Sequence, residues 1–205
     1  MSIGRAFIQG SLLVAVPLLD DPNFHRSVVY VLQHDDDGAL GVIINRPTPT
    51  RSGLDNLFGM DAWLDELSPP RVVFEGGPVQ INSLIAIAAT DHATITGPDA
   101  ARPGVASPDV ASPEIASPEI ASPEIEGFAP LSPGLGTVDL TVLPASIAAY
   151  LQHLRVFRGY SGWGPGQLED ELDQGAWLPV AADRGDLFTT NPADLWRNVL
   201  RRAGG

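Results

Sequence analysis

Residues 11–47 read SLLVAVPLLDDPNFHRSVVYVLQHDDDGALGVIINRP. Three apolar runs lie inside this stretch: Leu12–Val16, Val28–Leu32 and Leu40–Ile44. The last two are rich in Val and Ile and are separated by His34-Asp35-Asp36-Asp37-Gly38. Apolar runs of this length, bounded by turn residues, pack as buried strands, and an Asp-Gly step suits a hairpin turn. The stretch therefore predicts a β-hairpin of residues 27–33 and 39–45, with a third strand over 11–16 beside it.

The chain has 205 residues and is 44% hydrophobic, enough to bury a substantial core. A single domain over 1–205 is expected. No apolar run approaches the ~18–20 residues that span a bilayer. The first apolar run is preceded by one basic residue, Arg5, cut by Pro17 and closed by Asp20-Asp21, a poor match to a secretory signal. The expected location is cytoplasmic, away from membranes.

With no cysteine, the chain has no disulfide, thiolate metal site, iron–sulfur cluster or cysteine nucleophile. All 12 basic residues are arginine, which excludes a Schiff-base lysine, a lysine general base and a Walker-type phosphate loop. The formal net charge of −13 repels the phosphate backbone that supplies most non-specific nucleic-acid affinity. Arg201-Arg202 sits where a helix end favours positive charge. Direct nucleic-acid binding is thus disfavoured.

Further along, Leu54–Leu67 carries apolar residues at amphipathic-helix spacing, stopped by Ser68-Pro69-Pro70. Val72–Glu75 and Leu84–Ala89 read as strands. Residues 98–127 differ in kind: from Ala106 a five-residue unit repeats as ASPDV and then ASPEI three times. Proline at every fifth position forbids a helix and a central strand, and the period matches neither 3.6 nor 2. This segment is expected to be an inserted, disordered loop. Beyond it, Gly134–Leu143 reads as a strand, and Pro144 opens a helix with Ile147, Tyr150, Leu151 and Leu154 on one face. Arg155–Tyr160 and Trp177–Val180 are strands, and Pro165–Gln174 is a helix stopped by Gly175. Asn191-Pro192 starts a last helix that buries Leu195, Trp196, Val199 and Leu200.

Several of these segments together resemble the AlgH/YqgE family of bacterial proteins. They are LLVAVPLLDDPNFHRSVVYVLQHDDDGALGVIINRP at the start, EGGPV at Glu75–Val79, and FRGYSGWGPGQLEDELDQGAWL at Phe157–Leu178, followed by the Asn191–Leu200 helix with Trp196. The match covers about residues 8–96 and 128–201, in order, and the pentapeptide array departs from it by lengthening a loop. The resemblance implies an α+β fold, with a bifurcated, largely antiparallel sheet curling into a small closed barrel surrounded by helices. It implies no catalytic mechanism and supplies no active-site residues. Most members are uncharacterised, and one branch is described as a transcriptional regulator of exopolysaccharide genes.

Two glycine-rich turns are candidate ligand sites. Gly159-Tyr160-Ser161-Gly162-Trp163 runs from a strand towards a helix, where backbone amides can hold an anion. It fails the dinucleotide fingerprint, and Ser161 narrowly misses the nucleophile-elbow pattern. The plainer reading is a tight loop with Trp163 packed on the core. Glu75-Gly76-Gly77 follows a strand, either as a simple turn or as a wall where backbone approaches a ligand. Asn45, Arg46, Glu75 and His25 all fall near strand ends and would form a polar pocket if they converge. His25, near Asp20-Asp21, reads as a surface residue or a general base. Asp35–Asp37 reads as a solvated turn, and no histidine spacing fits a metal. No cofactor or metal is expected.

These residues point to a non-enzymatic protein that binds a protein or small-molecule partner. A hydrolase using Asp, Glu, His and Ser, with its pocket near 45–46, 75–78 and 159–166, is the alternative.

Overall fold

The computed structural model describes residues 7–49, 60–91 and 125–204. The repeat units up to residue 124, and the 54–59 part of the expected helix, lie outside these ranges. Among the described residues nine strands form one sheet: β1 (Ser11–Ala15), β2 (Val28–Asp35), β3 (Gly38–Ile43), β4 (Phe74–Glu75), β5 (Val79–Thr90), β6 (Phe128–Ser132), β7 (Leu135–Val138), β8 (Leu151–Trp163) and β9 (Trp177–Ala181). Three helices follow the strands closely: α1 (Gln167–Asp173), α2 (Arg184–Leu187) and α3 (Pro192–Gly204). The strand order is β6-β7-β5-β8-β3-β2-β1-β9, with β4 paired to β8. Strands from before and after residues 92–124 therefore share one sheet. All ladders are antiparallel except β4–β8.

The predicted hairpin forms. Asp35 pairs with Gly38 around a two-residue turn, and β1 lies antiparallel to β2. Val and Ile populate both faces because both faces are covered. The sheet curls into a half-barrel. Inside it Leu12, Val14, Val28, Val42, Phe74, Ile87 and Phe157 form the largest cluster, closed at one end by Leu187, Phe188, Leu195 and Val199 of α2, α3 and their link. Outside, two patches are covered separately. Trp63, Leu67, Ile125, Phe128 and Ile147 pack over β5 and β8. Phe24, Leu168, Leu172, Trp163 and Trp177 pack over β1, β2 and β3. Ile125, the last residue of the final ASPEI unit, belongs to the first of these patches.

The structure corrects the helix expected from Pro144. Two short 3-10 turns, Pro144–Ser146 and Ala148–Tyr150, lead directly into β8, which starts at Leu151. Strand alternation accounts for the buried residues there: Leu154 and Val156 join the outer patch, while Phe157 faces the barrel interior. The long ladder with β5 outweighs a local spacing that also fits a helix. Likewise, Met60–Trp63 is a 3-10 turn, followed by a turn rather than more helix.

Inside the barrel Arg155 is 1% exposed and has no carboxylate partner among the described residues. Its guanidinium donates to the carbonyls of Leu187 (2.7 Å), Pro69 (2.8 Å) and Thr189 (2.9 Å) and lies 4.2 Å over the Phe74 ring. Burial draws its pKa down to about 10, so the charge remains at neutral pH. The cation thus clips the turn before β4 to the α2–α3 link.

Candidate functional site

The sheet forks at β8. β3 pairs with β8 only over Ala39–Gly41, opposite Ser161–Trp163. Beyond that point β4 wedges between them. Phe74 and Glu75 pair in parallel with Phe157 and Arg158 on one side. On the other side, Glu75 N donates to Arg46 O and Ile43 N to Gly76 O, both at 2.8 Å. Gly76 and Gly77 form the tip of the wedge. A Cβ on Gly76 would meet Gly159 O at 2.3 Å, and one on Gly77 would meet Tyr160 O at 2.3 Å. Both glycines, and Gly159 opposite them, are therefore explained by backbone packed on backbone.

Ser161 seals the same fork. Its side chain is fully buried and its hydroxyl donates to Gly76 O at 3.2 Å. Trp163 turns the other way: its indole donates to Glu171 on α1, beneath the outer aromatic patch. Gly162 is exposed, and the Gly164 amide is taken by Gln167 Oε1 at 3.1 Å. The glycine-rich segment Gly159–Trp163, expected as a turn between strand and helix, is instead the end of β8, held there by the ladder with β3 and divided between the fork and the α1 contact.

Just outside the fork lies a cleft of about 260 Å³. Arg46, Glu75, Gly77 and Arg158 line it, with Ile43 as floor and Pro78, Ile81 and Asn23 at the rim. Phe74 and Phe157 face the barrel interior, so strand alternation turns the next residues, Glu75 and Arg158, outward side by side. The rim is a bulge: β5 pairs with β8 at Val79 and again at Leu84, leaving residues 80–83 looped out, with Gln80 left-handed at φ 45°. Ile81 at its tip is 59% exposed.

The opposite rim is held by Asn45 and Arg46. Asn45 Oδ1 accepts from Val28 N and its Nδ2 donates to Arg26 O, both at 2.9 Å. Arg46 donates to Asn23 O at 2.5 Å and His25 O at 3.0 Å. Burial lowers the Arg46 pKa, while the charges of Glu75 and Asp21 act to raise it. Of the residues singled out in the sequence, Arg46, Glu75 and Gly77 meet at this cleft, while Gly76 is buried in the fork beside it. Asn45 stands behind the rim, and His25 contributes only its carbonyl. Arg158, Asn23 and Ile81 were not singled out. Arg158 looks like any half-exposed strand residue, Ile81 stands on the bulge of β5, and Asn23 lies in the loop before β2.

Neither Arg158 nor Glu75 has a side-chain hydrogen bond or ion pair among the described residues. Among those residues no group of three or more His, Cys, Asp or Glu is placed to hold a metal ion. Among the described residues no helix is long and apolar enough to cross a membrane.

A largely antiparallel half-barrel split by a two-residue wedge defines the fold class, and the comparisons agree with it. The model of the AlgH-like family matches residues 12–205. A UPF0301 protein of Streptomyces avermitilis is 43% identical over 196 residues, covering 95% of this chain and 86% of its own. Another from Thermobifida fusca is 41% identical over 202 residues, covering 98% and 89%. The solution structure of the AlgH protein from Pseudomonas aeruginosa superposes with a TM-score of 0.63 at 26% identity, covering 100% of this chain and 93% of that one. A crystal structure of a Corynebacterium diphtheriae protein has the same fold, with a TM-score of 0.74 at 22% identity, over 98% and 90% of the two chains. The chain belongs to the AlgH-like family.

Proposed function

We propose that the protein is a cytoplasmic, non-catalytic ligand-binding protein that takes a small polar molecule in the cleft between Arg46, Glu75 and Arg158. Any regulatory role then runs through occupancy of that cleft rather than through contact with DNA, which the −13 charge opposes. One observation carries the reading: Glu75 and Arg158 are register neighbours of opposite charge that face a cleft, and neither makes a side-chain hydrogen bond or ion pair among the described residues, the charge of Glu75 acting only at longer range on Arg46. Uncommitted charges converging on a concave surface are what a binding site presents.

The hydrolase alternative has less support. Ser161 is sealed beneath Gly76 O and is out of reach of substrate. Ser68 Oγ lies 3.3 Å from His153 Nδ1, but it is buried and already accepts the Leu154 amide. His25 is exposed, on the loop whose carbonyls Arg46 holds.

The test is a thermal-shift screen of the full chain against a library of polar metabolites, with Arg158→Met/Glu75→Gln as control, beside native mass spectrometry of the freshly purified protein. The expected result is a compound that raises the Tm of the wild type and leaves that of the double variant unmoved. Loss of the reading follows if no compound shifts the wild type and no small molecule travels with it.

A further inference from the structure

We infer that the cleft recognises a small zwitterion: a free amino acid with an apolar side chain, whose carboxylate meets Arg158 and whose ammonium meets Glu75. The inference rests on the ligand-binding reading above and adds the class of ligand.

Three observations converge on it. The first is charge. Arg46 gives two N–H groups to loop carbonyls and feels the charge of Glu75, so the cleft presents the unbonded guanidinium of Arg158, with Arg46 beside it, and one carboxylate, Glu75. A guanidinium pairs best with a carboxylate or phosphate held by two parallel hydrogen bonds. A phosphate dianion, however, would be forced against Glu75, and a simple cation against Arg158 with Arg46 behind it. A ligand bearing both signs satisfies both side chains.

The second is spacing. Glu75 and Arg158 are Cα partners across one ladder step, so their strands run about 4.8 Å apart. Groups that stand this close without pairing to each other suit a ligand whose two charges sit on one carbon. The third is the lining. Ile81 is 59% exposed and stands at the rim with Pro78, over Ile43 on the floor. An aliphatic side chain laid there removes apolar surface from water on both partners. A cleft of about 260 Å³ has room for a molecule of amino-acid size.

Four related compounds test this first on the wild-type chain. Leucine, N-acetyl-leucine, 4-methylpentanoic acid and isoamylamine share one aliphatic body and differ in their charges. Binding is read from backbone amide shifts of the ¹⁵N-labelled full-length protein. Leucine is expected to move the amides of Gly77, Ile81 and Arg158. The three derivatives, each lacking one charge, are expected to bind about tenfold or more weakly, the effect of losing one charge-assisted hydrogen bond. Glu75→Gln is expected to bring leucine and N-acetyl-leucine to equal affinity.

If 4-methylpentanoic acid or N-acetyl-leucine binds as well as leucine, the cleft reads an anion alone and the zwitterion inference is wrong. If leucine and other apolar amino acids leave these amides unmoved while a different metabolite shifts them, the inference is likewise wrong but the ligand-binding reading stands. If no small molecule shifts them, both fall.

Discussion

Trp163 and Trp177 donate their indole N–H groups to the same oxygen, Oε2 of Glu171, at 2.9 and 2.7 Å. Their rings meet edge to face at 5.9 Å, and Phe24 stacks on the first and meets the second edge-on. One acid on a seven-residue helix thus orients three aromatic rings over the outer face of β1–β3. Charge-assisted bonds of this kind are stronger than neutral ones. Glu171→Gln should cost about 1–2 kcal/mol and Glu171→Leu, which orphans both indoles, about 2–4 kcal/mol. Urea unfolding would show a lowered midpoint at unchanged slope, with a red-shifted tryptophan emission in the leucine variant.

Arg155 makes a second, opposite case: a buried cation answered, among the described residues, by carbonyls and a ring. Arg155→Met leaves the carbonyls of Pro69, Leu187 and Thr189 without their donor but also relieves a buried charge. The balance should be a loss of about 2–4 kcal/mol. Arg155→Lys should recover less than half of it, because one ammonium cannot reproduce the planar fork that reaches all three. Denaturant titration of both variants checks the order.

Two glycines separate strain from crowding. Gly159 and Gly175 are both left-handed, with φ 68° and 72°. A Cβ on Gly159 would meet Gly77 O at 2.5 Å, whereas one on Gly175 meets nothing within 4 Å. Gly175→Ala should therefore cost only the conformational penalty, about 1–2 kcal/mol. Gly159→Ala adds the clash at the fork and should cost about 3–5 kcal/mol, or prevent folding. Comparing the two melting curves isolates the second effect.

Tyr30 supplies a pH dependence. Its ring is 3% exposed, and burial raises the phenol pKa, the bond with Ser132 acting weakly against this. The folded state therefore holds the proton more tightly than the unfolded one. Its contribution is fully present below the unfolded value of about 10 and is lost as pH climbs through the higher folded value. The protein should weaken above about pH 10 by a step that Tyr30→Phe removes, measurable by urea midpoints at pH 8 and pH 10.5.

The residues that could be read in advance were those whose neighbours in sequence are their neighbours in space. The 28–43 hairpin announces itself because its turn, Asp36-Asp37 with Gly38 directly after it, is closed locally. The Asn191-Pro192 start of α3 does so because a cap is a local device. β8 did not, since Leu151 and Leu154 fit a helical face as well as a strand, and only the ladder with β5 decides between them. β6 hides behind Pro130, and α2 is four residues held by a reciprocal Asp183–Asp186 cap. At the cleft, Arg46, Glu75 and Gly77 were visible as strand ends. Arg158 was not, because its outward direction depends on Phe157 facing inward. Ser161 and Trp163 looked like one motif, yet alternation along β8 sends them to opposite duties.

β1 is bonded on one side to β2, which follows it at once, and on the other to β9, register Ser11↔Ala181 through Ala15↔Trp177. Trp196 of α3 then caps Ala15 O at 2.8 Å. On the ribosome, at roughly 5–20 residues per second, on the order of ten to thirty seconds separate the emergence of these two strands. For that interval the nascent chain carries an apolar, unpaired edge, an invitation to the wrong neighbour. Truncation ahead of Trp177 should make that hazard permanent, yielding aggregates in place of a smaller soluble product.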